Sequence, residues 1–259
     1  MSSLYLNSAL EPAVADFGAT VGVASGVGAV VGRRVSFGGE EARHAVTVSR
    51  TRVGERIAVG NGRGLVMWGT VVLATAEEVQ VEVTEVRTVP RPAPELWLAQ
   101  ALAKGDRDEM AVQAATELGV SGVIPWAAER SITKWEGGKI ERGRARWETI
   151  VREASKQAIR EWVPVVEPIQ TTGQLLKASG LLLILDPTAT LALTAFVPDA
   201  ATERLTLVVG PEGGISLREL SKFEAAGAIR VRLGGEVLRT STAGPAALAV
   251  LNAQLGRWA

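Results

Sequence analysis

Apolar positions in the first third of the chain fall into short runs separated by glycines and polar residues. Val27 to Val35, Ala45 to Val48, Arg56 to Val59, Leu65 to Leu73 and Val79 to Val86 are such runs, and all contain valine. Runs of this length and composition predict β-strands. Asn61-Gly62, between two of them, is a hairpin turn signal. Residues 1–88 are therefore expected to form a small β domain, a barrel or a sandwich. Val89-Pro90-Arg91-Pro92-Ala93-Pro94 follows, and its prolines predict a stiff linker over 89–94 with a domain boundary in it.

Beyond the linker the rhythm changes. Glu95 to Ala103 reads as a strand, and Asp106 caps a helix that runs to Leu118 and stops at Gly119. Val120 to Trp126 is a strand, and Glu141 to Arg160 is a long helix with Ile150, Val151, Ala154 and Ala158 toward the core. Val163 to Glu167 is a strand, Thr172 caps a short helix, and Leu181 to Leu185 is a buried strand ending at Asp186-Pro187. Leu205 to Val209 and Ile229 to Leu233 are further strands. A helix from about Thr242 to Leu255 closes the chain, with Pro245 in its first turn, where proline is tolerated. Strands alternating with helices predict an α/β domain with a parallel sheet over 95–259.

Composition narrows the chemistry. The 259 residues carry 28 Lys plus Arg and 28 Asp plus Glu, so bulk charge gives no push toward nucleic acid. Cysteine is absent, which excludes disulfides and thiolate chemistry and fits a cytoplasmic location. The single histidine, His44, leaves little from which to build a catalytic triad or a metal site, and no metal is expected. The longest uncharged stretch, Phe17 to Gly32, is too short and too rich in glycine to span a membrane, and no basic lead-in marks it as a signal peptide.

Two loops stand out. Leu207-Val208-Val209 stops at Gly210-Pro211-Glu212-Gly213-Gly214, and Ser216 with Glu219 forms a capping box for the next helix. The following strand feeds a second loop, Leu233-Gly234-Gly235-Glu236-Val237-Leu238-Arg239-Thr240-Ser241-Thr242-Ala243. Glycine loops at the carboxyl ends of consecutive strands place backbone N–H groups around a shared crevice. Neither loop has the Gly-Lys-Ser/Thr of a phosphate-binding P-loop, and neither is Gly-x-Gly-x-x-Gly. Gly22, Gly26 and Gly28 superficially suggest a dinucleotide loop, but they precede a strand with no βαβ unit around them, so a loop of the β domain is expected there.

The paired loops resemble those of the SPOUT methyltransferases, and more narrowly those of the family that forms 3-methyluridine in bacterial small-subunit ribosomal RNA. Lys104-Gly105-Asp106, Ala114-Ala115-Thr116-Glu117-Leu118-Gly119-Val120, Ile124-Pro125, Glu129-Arg130-Ser131 and Glu153-Ala154-Ser155-Lys156-Gln157 agree with that family's catalytic domain. Gly39 to His44 and Arg50 to Glu55 resemble its RNA-binding β domain. The family usually has a glutamate where this chain has Ser241, and it often opens with arginines where this chain has Met1-Ser2-Ser3.

The resemblance implies a PUA-like barrel, a C-terminal trefoil knot, a homodimer and S-adenosylmethionine as cofactor. It implies small-subunit ribosomal RNA, free or in an assembled 30S particle, as partner. Cofactor contacts are expected from Leu185, Gly210, Pro211, Glu212, Gly213, Gly214, Leu233, Gly234, Val237, Leu238, Thr240, Thr242 and Ala243. Arg239 is the candidate to stabilise negative charge on a uridine base that loses its N3 proton, and Glu212 either accepts that proton or braces its own loop. Arg33, Arg34, Arg43, Arg50, Arg52, Arg130, Arg144, Arg152 and Lys156 are the candidate RNA contacts. Trp126, Trp135, Trp147 and Trp162 either stack on bases or fill the core. A ribose 2′-O-methyltransferase and a non-catalytic RNA-binding or ribosome-assembly protein remain open alternatives.

Overall fold

The computed structural model describes residues 4–10 and 30–258. The expectations for Gly22, Gly26, Gly28, Met1-Ser2-Ser3 and most of Phe17 to Gly32 lie outside these residues. The chain divides into two compact units, Met1–Arg91 with Ser155–Val163, and Pro92–Ala154 with Pro164–Ala259.

In the first unit, β1 (Leu4–Leu6), β2 (Arg34–Gly38), β3 (Arg56–Gly60), β4 (Leu65–Ala74) and β5 (Glu78–Thr88) form one sheet in the order β1-β3-β4-β5-β2. Among the described strands of this sheet, β1 and β3 pair in parallel and the other neighbours antiparallel. Among the described residues this sheet forms a half-barrel running from β1 to β2. Asn61 Oδ1 accepts from the backbone N–H groups of Arg63 (2.7 Å) and Leu65 (3.1 Å), which shapes the β3–β4 turn. The β4–β5 pairing shifts register at Trp68/Gly69, and a Cβ on Gly69 would run into the carbonyl oxygen of Glu82. Glycine is what lets the bulged strands approach there.

Ala45 to Val48 is not a strand. Helix α1 (Gly39–Arg43) continues into a π-helical turn over His44–Val48. Ala42 and Ala45 are both fully buried, packed with the stacked rings of Tyr5 and Phe37. Two small residues three apart suit a helical face, and this burial outweighs the β-branched composition of the run. Ser155–Val163, expected in the second domain, groups with this unit. Gly62 and Gly64 exchange backbone hydrogen bonds with Val163 and Glu161, and Trp162 donates its ring N–H to the Val89 carbonyl at 2.8 Å.

In the second unit, β6 (Glu95–Ala101), β7 (Gly122–Ala127), β8 (Val165–Val166), β10 (Leu181–Leu185), β11 (Arg204–Val209) and β12 (Ile229–Val231) form a parallel sheet. The order is β12-β10-β11-β6-β7-β8, and β9 (Gln170–Thr171) pairs with β7. Helices α4 (Thr172–Leu175) and α5 (Leu217–Ala225) contribute Leu175, Leu220 and Phe223 to the cluster holding Trp97, Trp126 and Ile184. Helices α2 (Arg107–Glu117) and α6 (Thr240–Gln254) pack together and against β6. Coverage by helices explains why Leu181 to Leu185 is apolar without alternation.

Several boundaries differ from expectation. Helix α3 (Lys139–Gln157) ends before Ala158, which is exposed, while Trp147, Val151 and Ala154 are buried. No glycine signals this stop, because Ile159 adopts the left-handed conformation itself (φ 51°). The short helix α4 is capped by Thr171, one residue earlier than expected, through a capping box with Gln174. Asp106 stands at the α2 N-cap without a side-chain cap bond. Helix α6 starts at Thr240, so Pro245 lies inside it, beyond its first turn. No helix of the described residues is long and apolar enough to cross a membrane.

Candidate functional site

The sheet order places β11 beside β6, although β6 is followed in sequence by β7. Strand order reverses at this point, and loops leaving the carboxyl ends of such strands diverge to leave a crevice. A cleft of about 600 Å³ opens next to this point, at the carboxyl ends of the neighbouring strands β10, β11 and β12, with Arg107, the first residue of α2, at its edge. That volume is within the range of small-molecule sites.

Three chain segments wall the cleft. One is Leu185 to Thr188, after β10. The second is the β11–α5 loop, contributing Gly210, Pro211, Glu212, Gly214 and Ile215. The third runs from Val231 through Leu233, Gly234, Val237, Leu238 and Arg239 to Thr240 and Ala243. Of the expected cofactor contacts, Gly213 and Thr242 do not line it. Gly213 faces Arg130, whose guanidinium donates to its carbonyl at 3.0 Å. The Thr242 N–H is taken by the carbonyl of Arg239, a bond that starts α6.

Ser216 caps α5 as its spacing predicts, and Glu219 completes the capping box. Glu219 also accepts from the Glu129 N–H at 2.9 Å and the Thr172 hydroxyl at 2.8 Å, so this buried carboxylate ties the loop after β7 to α5. Thr240 ties the glycine loops together. Its hydroxyl donates to the Gly210 carbonyl at 2.8 Å and accepts from Gln100 Nε2 at 2.8 Å. A Cβ on Gly210 would lie 2.7 Å from the Ile215 side chain, so this turn excludes any larger residue.

Glu212 Oε1 accepts from the Lys104 N–H at 3.0 Å and from Arg107 Nη1 at 2.8 Å. Burial pushes its pKa up, but the hydrogen bonds from its own backbone, Arg107 and Lys104 outweigh that and hold the carboxyl below its usual value. A lowered pKa makes the carboxylate a weaker base than an unperturbed glutamate. Arg239 lines the cleft at the N-cap of α6, and its guanidinium has no partner among the described residues. Ser241, the departure from the family pattern, lies in the first turn of α6.

Asp186 was not singled out from sequence as a site residue. Its Oδ1 accepts from the Thr188 N–H and hydroxyl, and Oδ2 accepts from Arg230 Nε at 2.8 Å. Burial raises its pKa, yet the Thr188 and Arg230 contacts prevail and keep it low. Arg230 also reaches Glu224 and the Thr188 hydroxyl. The network pins the β10 wall to β12 and α5. No local pattern in the sequence signals this pairing, whose partners lie 44 positions apart.

Apart from Arg130, beside Gly213, the basic candidates separate into two groups. Arg33, Arg34, Arg43, Arg50 and Arg52 are exposed on the first unit. On α3, Arg144 pairs with Glu148 (3.1 Å), Arg146 with Glu109 (2.9 Å) and Lys156 with Glu41 (3.3 Å), while Arg152 is half-buried. Much of the basic charge of α3 is thus matched by carboxylates. Trp126 and Trp147 are buried, Trp135 packs edge-on to Trp147, and Arg91 lies over Trp162, so all four rings serve packing. His44 is half-buried within the π-helical turn, where its carbonyl accepts from the Ser49 N–H.

Similarity to known proteins converges on this geometry. Residues 90–252 match the RNA methyltransferase domain family, and residues 37–84 match the RNA methyltransferase PUA domain. A ribosomal RNA small subunit methyltransferase E from Mycobacterium bovis is 37% identical, over 85% of this chain and 86% of that protein. The Bacillus subtilis protein of the same name is 30% identical, over 85% and 90%. The crystal structure of a ribosomal RNA small subunit methyltransferase E from Neisseria gonorrhoeae bound to S-adenosyl methionine superposes with a TM-score of 0.79 at 26% identity, covering 98% of both chains. This chain belongs to the RNA methyltransferase family that includes the ribosomal RNA small subunit methyltransferase E proteins.

Proposed function

We propose that the protein methylates N3 of a uridine in small-subunit ribosomal RNA, using S-adenosylmethionine held in the cleft between the two glycine loops. The observation that carries this reading is the cleft itself, walled by the glycine loops after β11 and β12 of an RNA methyltransferase domain. Its lining suits the cofactor. Leu185, Val209, Leu220, Val231 and Leu233 offer an apolar floor for a flat heterocycle, and the turn at Gly234, where a Cβ would meet only the Glu236 carboxylate, allows close approach to backbone amides. Thr188 and Thr240, whose hydroxyl protons already go to Asp186 and to the Gly210 carbonyl, can orient it as acceptors. The bound cofactor would supply an electrophilic methyl group on its sulfonium.

The remaining chemistry falls to this chain. Arg239, unpaired at the cleft, donates to the O2 or O4 atom that gains negative charge as uridine N3 loses its proton. Glu212 acts as a brace: its Oε1 holds the Lys104 N–H and the Arg107 guanidinium, joining the loop after β6 to the glycine turn. The two walls fix the nucleophile and the methyl group in line, which lowers the barrier by positioning. The homodimer, the trefoil knot and a cytoplasmic location belong to this same reading.

Nucleoside mass spectrometry of ribosomal RNA, from a strain lacking the gene and from the strain restored, tests the assignment. Loss and recovery of 3-methyluridine is expected. Loss of a 2′-O-methylated nucleoside instead would move the chemistry to the ribose, and an unchanged nucleoside profile would favour a non-catalytic RNA-binding role.

A further inference from the structure

The loops after β6, β7 and β11 meet beside the cleft, and cationic side chains gather where they meet. Glu212 receives the Lys104 N–H and the Arg107 guanidinium, while Arg130 donates to the carbonyl of the next residue, Gly213. The Thr133 hydroxyl donates to the Ala103 carbonyl at 2.7 Å, which sets Lys134 next to the Lys104 loop. Lys104, Arg107, Arg130 and Lys134 thus lie on segments that are hydrogen-bonded together next to the Glu212-Gly213 turn, with Asp106 on the first of them. Glu129, in the same region, is occupied by Ser216 and Arg218. Lys104 and Lys134 are exposed, and neither ammonium group makes an ion pair among the described residues.

This differs from α3, where the basic side chains of Arg144, Arg146 and Lys156 face carboxylates within salt-bridge distance. Phosphate binding requires cations that are not already neutralised. A base entering the cleft brings its own flanking phosphates to the rim. We propose that Lys104 and Lys134, with Arg130 behind them, form the seat for the phosphodiesters flanking the target nucleotide. The occupant is a single-stranded RNA backbone. Single strands fit because a base can enter the cleft only when splayed from its stack. Arg130 holds Gly213 and grips phosphate with its remaining donors, so the seat and the glycine turn form one piece. The inference rests on the proposed RNA-modifying function, but not on which atom receives the methyl group.

The test compares the wild type with a Lys104→Ala, Lys134→Ala double variant. Both side chains are exposed, so the fold is not at stake. Binding of an unmodified small-subunit ribosomal RNA transcript is measured across a salt series, with calorimetry of S-adenosylhomocysteine alongside. The double variant should bind RNA roughly tenfold more weakly, with a salt slope smaller by about 1.4 for two lost single-strand phosphate contacts. Its S-adenosylhomocysteine affinity should match the wild type. Arg146→Ala, which removes a cation already paired with Glu109, should leave RNA affinity nearly unchanged. Wild-type RNA affinity and slope in the double variant would overturn the seat, even if 3-methyluridine is the product. A weakened slope together with a ribose-methylated product would keep the seat and overturn the N3 assignment instead.

Discussion

Replacing Glu212 with glutamine separates a brace from a general base. The substitution keeps an oxygen able to accept the Lys104 N–H, now 3.0 Å away, and removes the charge facing Arg107 at 2.8 Å. The ion pair is partly exposed, at 43% for the arginine side chain and 29% for the glutamate, so solvent screens much of it. Pairs of this kind contribute about 0.5–1 kcal/mol. Lost positioning on that scale lowers kcat/KM roughly two- to fivefold. Removing a general base would instead cost about 10²–10⁴-fold. The assay is single-turnover methylation of a ribosomal RNA transcript or of 30S particles, with S-adenosylhomocysteine affinity measured in parallel. A fall below tenfold is expected, and Glu212→Ala should be worse than Glu212→Gln because it also abandons the Lys104 N–H. A hundredfold loss in Glu212→Gln, with cofactor affinity intact, would refute the brace and restore Glu212 as the proton acceptor.

Other perturbations follow from the same geometry. Thr240→Val removes both hydrogen bonds of the hydroxyl and leaves Gln100, whose Oε1 already lacks a partner, less satisfied; urea unfolding should show a loss of about 2–4 kcal/mol, and a loss under 0.5 kcal/mol would contradict the link. Arg230→Met frees the wall at Asp186 to Thr188, so the S-adenosylmethionine KM should rise severalfold with kcat little changed, and an unaltered KM would sever that network from the cleft. Buried Asp108 has its pKa pushed up to about 6, chiefly by desolvation, against backbone hydrogen bonds from Ala103 and Glu109. A raised carboxyl pKa gives stability that is full below the unfolded value near 4 and is lost as pH rises through 6. Relative to Asp108→Asn, the wild type should therefore lose up to about 3 kcal/mol between pH 4 and 7 in pH-dependent unfolding, and a flat difference would show that Asp108 does not titrate in this way.

The sequence made the parallel sheet and both cleft loops legible because their signals are local. Leu181 to Leu185 is a strand to the residue, and Ser216 with Glu219 forms the box that their spacing spells. Gly210 and Gly234 sit at strand ends where a crevice was expected. What stayed hidden depends on tertiary contact. Ala45 to Val48 has the composition of a strand, and what makes it helical is the packing of Ala42 and Ala45 on Tyr5 and Phe37. Ile159 ends α3 without any of the residues that mark a stop. The Asp186–Arg230 pair spans 44 positions, the Glu212–Lys104 contact spans 108, and no periodicity reports pairings at that separation. The basic face of α3 was legible as charge, but the carboxylates opposite it were not.

The most direct measurement is calorimetric titration of S-adenosylhomocysteine into the wild type and into Gly234→Val. A Cβ at Gly234 meets only a Glu236 carboxylate oxygen, at 3.3 Å, so the variant should fold and melt like the wild type while its side chain enters the cleft. The account predicts saturable heat for the wild type and none for the variant. Equal affinity in both, or no heat from the wild type at high protein concentration, would contradict it.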